Sequence, residues 1–84
     1  EVDVVAVADA GALLMGECKW SVNPVGTDVL DRLVGRRDAV VSDLSWVPGN
    51  VTYALWSRAG FTKDLQRRAA TEGVLLFGLR DILA

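Results

Sequence analysis

Two carboxylates and a lysine stand where a short sheet would otherwise be apolar: Asp3, within Glu1-Val2-Asp3, and Glu17 and Lys19, within Gly16-Glu17-Cys18-Lys19-Trp20. The two pieces lie on either side of Asp9-Ala10-Gly11, and apolar stretches of period two flank that turn, so they read as the arms of a β-hairpin. Centring the hairpin on Ala10 sets Asp3 directly across from Glu17 and Glu1 across from Lys19. Opposed residues share a face with Cβ atoms about 4.5–5.5 Å apart, where like charges destabilise the pair unless something positive lies between them. A divalent cation and the Lys19 ammonium would meet that need. The geometry depends on one register. A slip by one residue would set Asp3 against Gly16 or Cys18, part the charges to opposite faces, and leave Glu-Cys-Lys as ordinary surface.

The elements that must position these groups can be read along the chain. Residues 2 to 8 and 12 to 19 are the hairpin strands, and Trp20 to Gly26, with Asn23-Pro24, is a loop. Thr27 caps a helix in which Val29, Leu30, Leu33, Val34, Val40 and Val41 recur at helical spacing. Ser42 to Asn50 is a turn-rich connection to a β-branched and aromatic strand, Val51 to Ser57. A second helix runs from about Thr62 to Glu72, Gly73 ends it, and Val74 to Phe77 is a last buried strand. Helical crossovers imply parallel neighbours. The expected fold is therefore α/β, a mixed four-stranded sheet of order ββαβαβ, with an antiparallel hairpin followed by two parallel crossovers. Its ligand site should lie beside the hairpin near the N-terminus of the first helix, whose partial positive charge favours anions.

Composition narrows the chemistry. Eighty-four residues make a single domain, 1–84, and a chain this short buries only about 60% of the surface its unfolded form exposes. The sequence is 51% hydrophobic and 24% charged, a core-forming balance that argues against disorder. No histidine is present, so a metal would have oxygen ligands, which favours Mg²⁺, Mn²⁺ or Ca²⁺ over zinc and removes histidine as a general base. Cys18 is the single cysteine and cannot form an internal disulfide, in keeping with a reducing, cytoplasmic setting. No apolar run of spanning length and no signal-peptide pattern occurs, so no membrane association is expected. The chain opens in mid-strand without an initiator Met, which leads to the expectation of a C-terminal piece of a longer protein.

Glu1-Val2-Asp3, a turn, then Glu17-Cys18-Lys19 resembles the PD-(D/E)XK nuclease superfamily, whose signature is an Asp on one strand and Glu/Asp-x-Lys on the next. The longer run, through Trp20-Ser21, Pro24-Val25-Gly26 and Ser57-Arg58-Ala59-Gly60-Phe61, resembles the C-terminal nuclease-like domain of archaeal-type P-loop ATPases. Val2 stands before the Asp where the signature has Pro, and the family's leading helix and first core strand have no counterpart here. The resemblance implies a restriction-endonuclease-like sheet and hydrolysis of DNA phosphodiester bonds with Mg²⁺ or Mn²⁺. Asp3 and Glu17 would bind one or two ions with the Cys18 carbonyl as a further ligand, and Lys19 would orient water or neutralise charge. Glu1 would be auxiliary. Trp20 and Ser21 would be the weaker nucleic-acid contacts, Trp20 by stacking on a base, although a Trp closing a strand also serves packing.

Other features weigh against strong DNA binding. The net charge of −2 and a pI near 4.8 leave little positive charge to neutralise phosphates. Arg36-Arg37 and Arg67-Arg68 sit on helices with acidic neighbours and read as solvated faces, with Asp64 and Arg68 spaced as an intrahelical pair. Cys18 and Trp56 read as buried. No GxxxxGK[ST] loop occurs, so ATP hydrolysis would belong to an upstream domain. The alternative to a nuclease is a non-catalytic interaction or regulatory module attached to that ATPase, with homodimerisation as one means of regulation.

Overall fold

The structure, a computed structural model, describes residues 2–9 and 11–83, with side chains described from 11 to 81. Strands β1 (Val2–Asp9), β2 (Ala12–Lys19), β3 (Asn50–Ser57) and β4 (Leu75–Phe77) form one sheet in the order β1-β2-β3-β4. β1 runs antiparallel to β2, whereas β2, β3 and β4 are parallel. The helices are α1 (Thr27–Gly35), α2 (Arg37–Ser42), α3 (Lys63–Glu72) and α4 (Leu79–Leu83).

Alternation along the strands divides the sheet into two unlike faces. Leu13 and Met15 on β2 and Leu55 on β3 point to one face, where they form a core with Val29, Leu30 and Leu33 of α1 and Leu65 and Ala69 of α3. Both helices therefore cover the same side, as successive right-handed crossovers in one direction require. The other face carries Gly16, Ala54 and Trp56, with Trp56 stacked on Phe77 at 5.3 Å between ring centroids and 18° between planes. Trp56 is thus half-buried on the face away from the helices, not part of the main core.

Several expectations are corrected. β1 and β2 pair one residue out of step with a hairpin centred on Ala10: Asp9 faces Ala12, Asp3 faces Cys18, and Val2 faces Lys19. Only Ala10 and Gly11 connect the strands, and Gly11 takes φ +83°, a conformation short hairpin loops supply through glycine. The helix expected from Thr27 is two helices, because the chain leaves α geometry around Gly35 and Arg36. Gly35 is a weak helix former, and the Arg36 N–H bonds back to Leu33 and Val34 oxygens as a terminating turn. The N-cap is Gly26, so Thr27 is the first helical residue and gives no side-chain cap. Thr62 caps α3 by accepting from the Leu65 N–H at 3.2 Å, and Gly73 closes it at φ +74°. The last strand is shorter than expected and lies at an edge, with Leu75 exposed. α4 was not legible.

Asp64 pairs with Arg67, not with Arg68. Arg68 instead ties α3 to α1, donating to Asp31 at 2.6 Å and to Glu72 one turn along its own helix at 2.8 Å. Those bonds, Asp31 first and Glu72 next, push the guanidinium pKa above its ordinary value, so Arg68 stays charged. Replacing Arg68 with Ala is expected to lower the melting temperature modestly at low ionic strength. In about 1 M salt, where charges are screened within about 3 Å, melting of the two proteins should converge. An equal gap at both salt concentrations would mean that packing, not charge, makes the contribution.

Candidate functional site at the ends of the parallel strands

Glu17 occupies an inward position on β2, in line with Leu13 and Met15, and is 1% exposed. A carboxylate there is held in place by the strand, since the apolar positions before it fix which face it shows. Arg32, on the polar flank of the α1 stripe, reaches over the helix edge to place Nη2 3.5 Å from Glu17 Oε2. That contact is long and Arg32 is 52% exposed, so it neutralises Glu17 only partly. Glu17 Oε1 is buried with no hydrogen-bond partner from the protein.

A second buried oxygen lies close by. Ser57 ends β3 at 0% exposure, and its hydroxyl also has no partner. Leu55 pairs with Glu17 and Ser57 with Lys19, so Ser57 is diagonal to Glu17 on the same face. Lys19, two residues beyond Glu17, shares that face at the solvent margin. Glu17, Lys19, Ser57 and Arg32 therefore meet where parallel strands end and helices begin, the region in which α/β sheets bind ligands. The loops after β2 and β3 are tied together there: Val25 N–H donates to the Gly60 oxygen and Thr62 N–H to the Val25 oxygen, each at 2.9 Å.

Outside this group, Trp20 is 51% exposed and carries the Arg58 guanidinium 5.9 Å from its ring centroid, a cation–π arrangement. The Arg58 N–H donates to the Lys19 oxygen at 3.2 Å, which fixes this pair beside Lys19. Ser21 is exposed, its hydroxyl donating to the Asn23 oxygen at 3.1 Å.

The register changes what can join Glu17. Asp3 is paired with Cys18, and Val4 takes the place across from Glu17 that Asp3 was expected to hold. The side chain of Asp3, and Glu1 altogether, lie outside the described residues. Cys18 is half-buried on the second face, between Asp3 and Trp56 in the ladder. Among the described residues no three Asp, Glu or Cys side chains converge on a metal-holding cluster. Glu17 Oε1 and the Ser57 hydroxyl are the buried side-chain oxygens left without a hydrogen-bond partner among the described residues. Nor did Glu17 become ordinary surface when the register shifted, because α1 covers it.

Sequence reading missed Arg32 and Ser57. The signal for Ser57 was present: Val51, Tyr53 and Leu55 set an inward alternation that Ser57 continues. Arg32 follows Val29 by three residues and so borders the buried stripe. No helix among the described residues is long and apolar enough to cross a membrane. Comparison of the chain with family models, with curated proteins and with solved structures finds no match.

Proposed function

We propose that this chain is a metal-dependent nuclease-like domain of restriction-endonuclease type, in which Glu17 takes Mg²⁺ or Mn²⁺ and Lys19 assists at the phosphate. The observation that carries the reading is the Glu17 carboxylate, fully buried at the end of β2 with Oε1 unpartnered. A buried charge with a free oxygen is costly unless a cation completes it. Arg32 supplies that only loosely from 3.5 Å. A bound divalent ion would activate water and stabilise charge on phosphate. Lys19 at the margin would neutralise a phosphate oxygen, and the Trp20–Arg58 pair would offer a base-stacking surface next to it. DNA is the expected substrate class, with the remaining affinity coming from an attached ATPase domain.

The proposal rests on Glu17 before Asp3, since Asp3 is one position out of step. Adding Mn²⁺ to a hundred times its Kd is expected to stabilise the protein by about 2.7 kcal/mol through linkage. Glu17→Gln should erase the rise in melting temperature, and Asp3→Asn reports whether the first strand contributes a second ligand. No rise in the unsubstituted protein would sink the metal reading. Where metal binds, metal-dependent cleavage of DNA that Lys19→Ala abolishes would establish the hydrolytic step.

The second reading, a non-catalytic interaction module, draws on the other face of the sheet. There Leu75 stays 45% exposed beside the Trp56–Phe77 stack. Mn²⁺ binding without cleavage would favour it.

A further inference from the structure

We infer that two copies of this chain associate through β1, whose open edge pairs antiparallel with the same strand of a second copy about a twofold axis at Val5. The contact uses the edge of the sheet and no part of the Glu17 site, so it is independent of the metal-dependent reading. β1 ends the strand order and pairs with β2; among the described residues no strand lies on its other side. An eight-residue strand in that place presents a row of backbone N–H and C=O groups that a further strand can use.

Position and sequence disagree at this strand. Val2-Asp3-Val4-Val5-Ala6-Val7-Ala8-Asp9 is apolar at both parities, the pattern of a strand covered on both faces inside a sheet and not of one at its margin. The devices that close an edge are missing from it. It holds no Lys and no Pro, and its pairing with β2 runs unbroken from Val2 opposite Lys19 to Asp9 opposite Ala12, so no bulge turns it aside. The other edge of the sheet, β4, is blunted by being only three residues long.

A second copy fits this edge because the strand can be its own partner. An antiparallel pair is self-complementary about a twofold axis, so one edge closes a dimer and leaves no open end to propagate. The placement of the carboxylates selects the register. With the axis at Ala6, Asp3 of each copy would face Asp9 of the other, and like charges directly opposed destabilise a strand pair. Moving the axis to Val5 sets Asp3 against Val7, Val4 against Ala6 and Val2 against Ala8, and leaves Asp9 opposite Glu1 at the end of the ladder, where water screens the pair. An axis at Val4 or Val7 also parts Asp3 from Asp9 but shortens the ladder. The axis stands perpendicular to the sheet, so the helices of both copies lie on one side and the two sheets become continuous.

Sedimentation velocity of the unsubstituted protein should show a monomer–dimer equilibrium in the micromolar range. Val5→Lys and Val5→Glu each set like charges across the axis and should each weaken association at least roughly tenfold, whereas an equimolar mixture of the two variants should dimerise again. Should either variant fail to fold, amide hydrogen exchange on the unsubstituted protein decides. In the dimer the amides of β1 from Val2 to Ala8 are protected at both parities, and alternate ones lose protection on dilution. A monomer at every concentration, with alternate β1 amides exchanging freely, would overturn the inference. A monomer in which those amides are protected would overturn it in favour of another segment of the same chain on this edge. A dimer that Val5→Lys leaves intact, or whose alternate β1 amides exchange freely, would overturn it by placing the contact on a different surface.

Discussion

Leu30→Ala is expected to cost about 2–5 kcal/mol, the range for truncating a leucine in a core that cannot collapse around the loss. Leu30 is fully buried on α1 and belongs to the cluster that joins this helix to Leu13 and Met15 of β2, Leu55 of β3 and Leu65 of α3. Few residues share that load. A domain of 84 residues has a total stability on the order of 4–12 kcal/mol, at roughly 0.05–0.15 kcal/mol per residue. One cavity at this position therefore removes a large fraction of it. Near 4–8 °C per kcal/mol for a domain of this size, the melting temperature should fall by at least about 8 °C. Leu30→Met, which nearly conserves volume, should cost less than about 1.5 kcal/mol. Urea denaturation of both variants checks this, and equal losses would mean that the shape of the side chain, not the cavity, sets the cost.

That core was legible because helical and strand periods are long-range signals. Strand β2 has the bounds read from sequence, Ala12–Lys19, and α3 differs by its capping residue alone, because Thr62 and Gly73 are strong start and stop signals. Where signals compete, sequence reading fails. Val2, Val4, Val5 and Val7 are apolar on both parities, so β1 presents no face that fixes its register. Asp9-Ala10-Gly11 is compatible with a connection of two residues or three, and the structure has the shorter one. A one-residue difference decides whether Asp3 is opposite Glu17. Likewise Val34 and Val40-Val41 continue a helical stripe through Gly35, and nothing in the pattern marks the break there.

The candidate site was half legible for a related reason. Charge among apolar neighbours drew attention to Glu17 and Lys19, but the partners of a charge are set by tertiary contact. Arg32 is fifteen residues from Glu17 in sequence and arrives through the packing of α1 on the sheet. Ser57 arrives through the parallel register of β2 and β3. A sequence offers no spacing rule for either placement. The acidic net charge, read as an argument against a strong nucleic-acid binder, also says little about this locality, where Lys19, Arg32 and Arg58 gather at one end of the sheet.

Gly16→Ala should destabilise the domain by about 1–3 kcal/mol, against the ordinary trend for a strand. Replacing an unconstrained strand glycine with alanine gains roughly 0.5–1 kcal/mol by reducing the freedom of the unfolded chain. Here the space is taken. A Cβ on Gly16 would meet Cη2 of Trp56 at 3.0 Å, Cζ3 of the same ring closer still, and the Ala54 carbonyl oxygen at 3.3 Å. Backbone oxygen in a ladder cannot withdraw, so the indole must. Moving Trp56 disturbs its stack on Phe77, an arrangement worth about 0.5–1.5 kcal/mol beyond the area it buries. The clash and the lost stack together exceed the entropic gain, which decides the sign. A double-mutant cycle isolates the cause. In a Trp56→Leu background, where the ring is gone, Gly16→Ala should cost much less or become stabilising. An equal cost in both backgrounds would place the strain in the backbone of β2, between Met15 and Glu17, and not in the aromatic cover of the sheet's second face.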